Sequence, residues 1–129
     1  MGYRNNFGLA ILGPTSKVHT LLEMIKEKAD STADYDSEAG VYATILLSLQ
    51  ETTREDLLWF HDEYVKCQGE WHDVISQIMT DAHDLGCHSA YCRMGEDLDD
   101  IEIDELGVGD ESLRVYIPVL RILGEPVVP

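Results

Sequence analysis

The apolar positions of this chain switch between a two-residue spacing and a helical spacing, and each switch marks a new element. Phe7, Leu9 and Ile11 alternate with their neighbours, which predicts a first strand over residues 3–12. After Gly13-Pro14, apolar residues at i, i+3, i+4 and i+7 predict a first helix. Its members are Val18, Leu21, Leu22, Ile25 and Ala29.

The next segment, residues 41–49, has two interpretations. Val41, Ala43, Ile45, Leu47 and Leu49 alternate and favour a second strand, preceded by a polar loop over residues 30–38. Leu46 breaks that alternation, so a helix stays open as the alternative. Residues 51–56 then predict a turn, and the alternation over residues 57–65 predicts a third strand antiparallel to the second.

A second amphipathic stripe follows and predicts a second helix that ends at Gly86. Its members are Trp71, Val74, Ile75, Ile78, Ala82 and Leu85. Residues 88–94 are short and β-prone, and Ile101 and Ile103 share one face within the acidic stretch that comes next. Residues 113–122 predict the last strand, which Pro118 must interrupt or confine to an edge because proline lacks a backbone donor.

The order β-α-β-β-α-β-β predicts an α+β fold, because each helix has one apolar stripe and therefore needs one sheet face. We expect a single domain over residues 1–129, built as a two-layer sandwich with two helices on one face of an antiparallel sheet. A ferredoxin-like topology with one added strand fits this order best. The 129 residues and the 44% apolar content are enough for such a core.

Cysteine usage and hydropathy indicate a cytoplasmic protein. Three cysteines are an odd number for a chain this short, which favours a reducing compartment over a disulfide scaffold. We expect no secretory signal and no contact with a membrane, because the longest apolar run is far too short to span a bilayer.

The formal net charge of −16 excludes some partners and favours others. Direct binding to nucleic acid is disfavoured, because affinity for its backbone depends on cations that neutralise phosphates. An anionic membrane surface is disfavoured for the same reason. The natural complement is a protein with a basic surface, or a protein site that normally receives nucleic acid.

Nine of the carboxylates fall between residues 96 and 111, with no Lys or Arg among them. This segment is either a solvated edge whose charges discourage pairing, or a surface that binds a positive partner. Alternate acids on a strand lie about 6.6 Å apart, close to the roughly 7 Å between successive phosphates of one nucleic-acid strand. We take as candidate partner-binding residues Glu96, Asp97, Asp99, Asp100, Glu102, Asp104 and Glu105.

The aromatic residues around the third strand add two further candidates. Trp59 and Tyr64 could anchor a partner if either lies on the sheet face away from the helices. Otherwise they belong to the core, as we expect for Phe60 and Trp71.

The sequence shows few residues in patterns typical of catalytic or metal sites, so we expect no cofactor and no metal. It favours a non-enzymatic role and leaves an enzyme open as the alternative. His83, Cys87 and Cys92 could ligate zinc, but their spacing matches no standard finger. The carboxylates that could hold Mg²⁺ or Ca²⁺ lack the spacing of an EF-hand. They are Asp62, Glu63, Asp97, Asp99 and Asp100. No nucleophile with an adjacent base and no phosphate-binding glycine loop is recognisable.

Two segments resemble a group of small uncharacterised proteins of bacteriophages and prophages. They are the opening Met1-Gly2-Tyr3-Arg4 and the block Gly95-Glu96-Asp97-Leu98-Asp99-Asp100-Ile101-Glu102. An aromatic strand ending in Lys66 loosely matches between them, whereas Asn5 and Cys67 depart from the usual pattern. The resemblance implies a phage or prophage origin and an α+β fold, and it carries no established reaction, cofactor or catalytic residue.

The leading hypothesis is a non-enzymatic phage accessory protein that binds a host or defence protein through its acidic surface, as an inhibitor or nucleic-acid mimic. One alternative is a ligand-binding protein or enzyme with a pocket between sheet and helices, around His61, Asp62 and Tyr64. Another is a self-assembling module, a homodimer formed through the exposed sheet face or the edge at Pro118.

Overall fold

The computed structural model describes residues 5–65, 69–97, 99–109, 113–119 and 123–129, and only the backbone of Tyr64, Val65 and Gly69. Within this part of the chain, three helices and five strands form an α+β fold. The strands are β1 (Asn5–Leu12), β2 (Leu49–Gln50), β3 (Leu57–Val65), β4 (His88–Met94) and β5 (Ile101–Leu106). The helices are α1 (Thr15–Lys28), α2 (Glu38–Leu47) and α3 (Gly69–Asp84).

The strands form one antiparallel sheet in the order β2-β3-β1-β4-β5. β1 is central, and its Leu9 lies opposite Phe60 of β3 and Tyr91 of β4. The predicted strands over 57–65 and 88–94 are confirmed, as are the two amphipathic helices that became α1 and α3. The edge strands are the two-residue β2 and the six-residue β5.

Both faces of the central strands are covered. All three helices contribute to the main core on one face, where Phe7 packs edge-on against Trp71 with ring centroids 5.0 Å apart. On the other face, Val115, Ile117 and Leu123 of the C-terminal segment pack against Ala10, Leu12 and their neighbours. β1 is therefore buried on both sides, which is why residues 7–12 are all inaccessible to solvent.

The prediction of a strand over residues 41–49 is wrong, and the helical alternative is correct. The Ser37 side chain caps α2 by accepting a hydrogen bond from the Gly40 N–H at 3.1 Å. The buried residues Val41, Tyr42 and Ile45 follow helical spacing, so the helix buries a face that the alternation did not indicate. Only Leu49 and Gln50 belong to a strand.

The prediction of a last sheet strand over residues 113–122 is also wrong for the residues that are described. Tyr116 exchanges two backbone hydrogen bonds with Val127, and Val119 forms an isolated bridge with Leu123. Residues 120–122 lie outside the described part of the chain. The segment around Pro118 folds back on itself across a sheet face, and the fifth strand is instead the Ile101–Leu106 segment.

Candidate functional site at the acidic sheet edge

The seven candidate carboxylates occupy the turn after β4 and the strand β5, which we call the acidic margin (residues 95–106). The Gly95 N–H donates to the Asp100 carbonyl at 2.8 Å, and the Asp100 N–H donates to the Asp97 carbonyl at 3.0 Å. These bonds close the turn that reverses the chain from β4 into β5. Leu98, Asp110 and Glu111 lie outside the described residues.

The register of β5 on β4 sorts the acidic margin onto two faces. Ile103 lies opposite Cys92 and Glu102 lies opposite Arg93. Since Cys92 belongs to the cluster under the C-terminal segment, Ile101, Ile103 and Glu105 share that face. Glu102, Asp104 and Leu106 lie on the helix side, where Leu106 packs against the main core. Ile101 and Ile103 are 41% and 66% exposed, so two large apolar side chains on the same face of the edge strand are accessible to solvent.

Arg93 is the main internal partner of the acidic margin. Its guanidinium donates to both Asp100 carboxylate oxygens, at 2.8 and 3.1 Å, and to Asn5 Oδ1 at 2.8 Å. The Glu102 carboxylate lies 3.9 Å away. The Arg93 side chain is only 17% exposed, so its bidentate bond to Asp100 is held in a partly desolvated position.

Glu105 has two cationic or potentially cationic neighbours. Arg114 Nε donates to Glu105 Oε1 at 3.2 Å, from a side chain that is 54% exposed. His88 Nε2 lies 2.7 Å from the same oxygen, but the two are not aligned as a hydrogen bond, so the contact is an ion pair only when the imidazole is protonated. A longer contact of 4.0 Å joins His72 Nδ1 to Glu102.

The acidic margin is thus partly neutralised by the protein itself, in a way the sequence analysis did not predict. Asp100, Glu102 and Glu105 face Arg93, Arg114 or His88. Two arginines cannot neutralise seven carboxylates, and the surface keeps a negative excess. Glu96, Asp97, Asp99 and Asp104 are exposed, and the Asp104 carboxylate accepts a local hydrogen bond from the Glu105 N–H.

Trp59, one of the two aromatic candidates, does not join this surface. Trp59 does lie on the sheet face away from the helices, but the C-terminal segment covers it and leaves 5% exposed. Its ring stacks on His61 with centroids 5.4 Å apart. Trp59 is therefore a core residue and offers little surface to a partner. The side chain of Tyr64 lies outside the described residues.

The pocket expected between sheet and helices around His61 and Asp62 is not favoured by the geometry. His61 stacks with Trp59 on the opposite face, while the sheet–helix interface is filled by buried side chains such as Phe60 and Ile78. Asp62 is half-buried, and loss of solvent raises the pKa of its carboxyl. An open cleft of about 450 Å³ lies elsewhere, between residues 50–57 and the tail at 125–128.

The zinc candidates lie on different sides of the sheet. Cys87 belongs to the core under the helices, Cys92 belongs to the cluster under the C-terminal segment, and His83 is exposed. Burial raises the pKa of both thiols, that of Cys92 to about 11. Within the ranges that the structure describes, no group of three or more His, Cys, Asp or Glu residues could hold a metal ion.

Comparison of the chain with protein-family models, with curated proteins and with solved structures gives no match. No helix in the described ranges is long and apolar enough to cross a bilayer.

Proposed function

We propose that this protein is a non-enzymatic binding protein that docks its acidic margin onto a basic surface of another protein. The observation that carries the proposal is the position of these carboxylates, on an exposed edge strand and its adjoining turn. A charge excess there is accessible to a macromolecule, and complementary potentials accelerate and orient docking.

The internal ion pairs divide the acidic margin into two parts with different roles. Asp100 is fixed by Arg93 and shapes the turn, so it contributes little to the outward field. Asp99 and Asp104 are exposed and have no cationic partner among the described residues, so their charge is available to a partner. Mutation of Asp99 and Asp104 therefore tests the acidic margin most directly.

The proposed setting is the bacterial cytoplasm during phage infection, as the resemblance in sequence implies. The partner would be a host or defence protein with a basic surface, and occupation of its nucleic-acid-binding site would make this chain an inhibitor. Direct binding to nucleic acid is not part of the proposal, because the net charge of −16 opposes it.

We also propose that the fold is a ferredoxin-like sheet with one added strand. Support comes from the order β2-β3-β1-β4, in which all neighbours are antiparallel and the crossovers pass through helices on one face. β5 is then the added strand. It pairs with β4, the outer strand of the ferredoxin-like sheet, and places the acidic margin beyond it.

The test is a comparison of two double variants with equal charge changes. D99K/D104K reverses two exposed charges of the acidic margin, and E27K/D84K reverses two exposed acids on the helices. Each variant is immobilised, incubated with bacterial lysate and, once a protein is identified, titrated with that purified protein at low and high salt.

We expect D99K/D104K to lose the partner while E27K/D84K retains it. Capture by the native chain should also fall steeply with salt, because the Debye length shrinks from about 10 Å at 0.1 M to about 3 Å at 1 M. Equal loss of binding in both variants would mean that only the net charge matters and not the acidic margin, which would contradict the proposal. Capture that does not depend on salt would also contradict it.

A further inference from the structure

We infer that the partner binds as an extended basic segment that adds a strand to the outer edge of β5. This inference rests on the proposed function and specifies its mode. The partner segment would alternate Lys or Arg with apolar residues, so that its cations meet Glu102 and Asp104 and its apolar side chains cover Ile101 and Ile103.

The backbone of β5 supports strand addition. Among the described strands, only β4 pairs with β5, so the outer edge of β5 has no strand partner there. Half of the N–H and C=O groups of an edge strand point away from the sheet and can template another strand. The sequence Ile101-Glu102-Ile103-Asp104-Glu105-Leu106 contains neither Lys nor Pro, the residues that commonly block such edges.

The side-chain pattern of β5 selects the chemistry of the added strand. Glu102 and Asp104 project to one face, whereas the exposed Ile101 and Ile103 project to the other. Side chains directly opposite one another on neighbouring strands interact most strongly, and opposite charges or apolar pairs stabilise the pairing. A strand with alternating basic and apolar residues satisfies both faces at once.

The same pattern disfavours a second copy of this chain as the occupant. In an antiparallel pairing of two β5 strands centred on Ile103, Glu102 of each copy would face Asp104 of the other. Ile101 would face Glu105. Like charges directly opposite one another destabilise strand pairing, so the homodimer considered from the sequence does not suit this edge.

The test uses a short peptide of alternating Lys and Val and two N-methylated isomers of it. The peptide contains equal numbers of Lys and Val. One isomer is methylated at the backbone nitrogen of every Lys and the other at the backbone nitrogen of every Val, so the two have the same charge and composition. Alternate N–H groups of a strand point to opposite edges, so each isomer blocks one edge only. Affinity is measured by fluorescence anisotropy at low salt with the full chain.

If a strand is added, one isomer should bind about tenfold or more weakly than the other, because it cannot form the hydrogen bonds to β5. Equal affinity of the two isomers would overturn strand addition and leave electrostatic docking intact. Failure of the parent peptide and of a shuffled peptide of the same composition to bind at low salt would overturn the proposed function as well.

A protein variant gives a second readout. I103K places a cation on the edge at a side chain that is 66% exposed, so the fold should tolerate it. We expect about tenfold weaker binding of the parent peptide. The matched control is L47K, at an 86% exposed apolar residue beside the opposite edge strand, which should bind as the native chain does.

Equal weakening by both variants would overturn the placement at β5. The molar mass in solution tests the homodimer. If it doubles as the protein concentration rises and stays at the monomer value in I103K, a second copy occupies the edge of β5, and the inference is likewise overturned.

Discussion

Replacing Arg93 by Met should destabilise the protein more than replacing Arg114, the other arginine that contacts the acidic margin. Met keeps the length of the apolar stem but removes the hydrogen bonds to Asp100 and Asn5. Asn5 is 3% exposed and Asp100 is about one-third exposed, so water replaces these bonds incompletely. The acidic margin would also keep its like charges without their main counter-ion.

The magnitude follows from the bonds that are lost. A hydrogen bond to a charged group contributes about 1.5–3 kcal/mol, and the partly exposed Asp100 reduces the value toward the lower end. We expect R93M to lower the free energy of unfolding by about 2–3 kcal/mol. R114M is the matched control. Arg114 makes an exposed ion pair to Glu105 and lies over the exposed Tyr116 ring, 5.7 Å from its centroid, so its loss should cost only about 1 kcal/mol.

Urea denaturation followed by tryptophan fluorescence measures both variants, with unchanged slopes showing that only stability has changed. The double variant R93M/D100N should be less destabilised than the sum of the single changes, because Asp100 no longer keeps a partly buried charge without its partner. An R93M protein within about 0.5 kcal/mol of the native chain would refute the view that Arg93 holds the turn.

Three further predictions concern other parts of the fold. G40A should lower the free energy of unfolding by roughly 2 kcal/mol although Ala favours helices, because its Cβ would meet the Asp34 carbonyl oxygen; a raised urea midpoint would contradict this. Cys92 should resist thiol reagents at pH 8 until the chain unfolds, because burial raises its pKa to about 11; peptide mapping by mass spectrometry after labelling checks it. Since the raised pKa of Asp62 means that its ionised form is disfavoured in the fold, D62N should raise the urea midpoint at pH 7. That advantage should shrink as the pH falls through the raised pKa, and a midpoint difference independent of pH would be inconsistent with it.

Much of the fold follows from local periodicity. The stripes of α1 and α3 coincide with their buried residues, and β1, β3 and β4 form where the sequence predicts strands, although burial along β1 and β4 is nearly continuous. The strand prediction for residues 41–49 is wrong because Val41, Ala43 and Ile45 satisfy a two-residue period, while Val41 and Ile45 also have helical spacing. The cap at Ser37 decides in favour of the helix, and its effect depends on a bond to Gly40 that alternation does not reveal.

The C-terminal error has a different cause. Val115 and Ile117 do alternate with exposed neighbours, as in a half-buried strand. The segment is extended but lies across a face of the sheet instead of along an edge, and local periodicity cannot distinguish the two. Pro118 was a useful signal, since it predicted that this segment could not form a continuous ladder.

The acidic margin was recognisable from the sequence, but its internal neutralisation was not. The Arg93–Asp100 pair is seven residues apart, yet whether the two side chains meet depends on the turn that follows β4. The contacts of Glu105 to Arg114 and His88 depend on how the C-terminal segment and β4 reach that face. Tertiary structure therefore decides which carboxylates are paired with cations of the protein itself and which are available to a partner.

The central position of β1 has a consequence for how the protein folds. Its two neighbours are β3 and β4, and its second face is covered by the C-terminal segment, so its contacts join residues that are far apart in sequence. Such long-range closure slows folding, and an apolar strand that is still without these contacts is prone to aggregate.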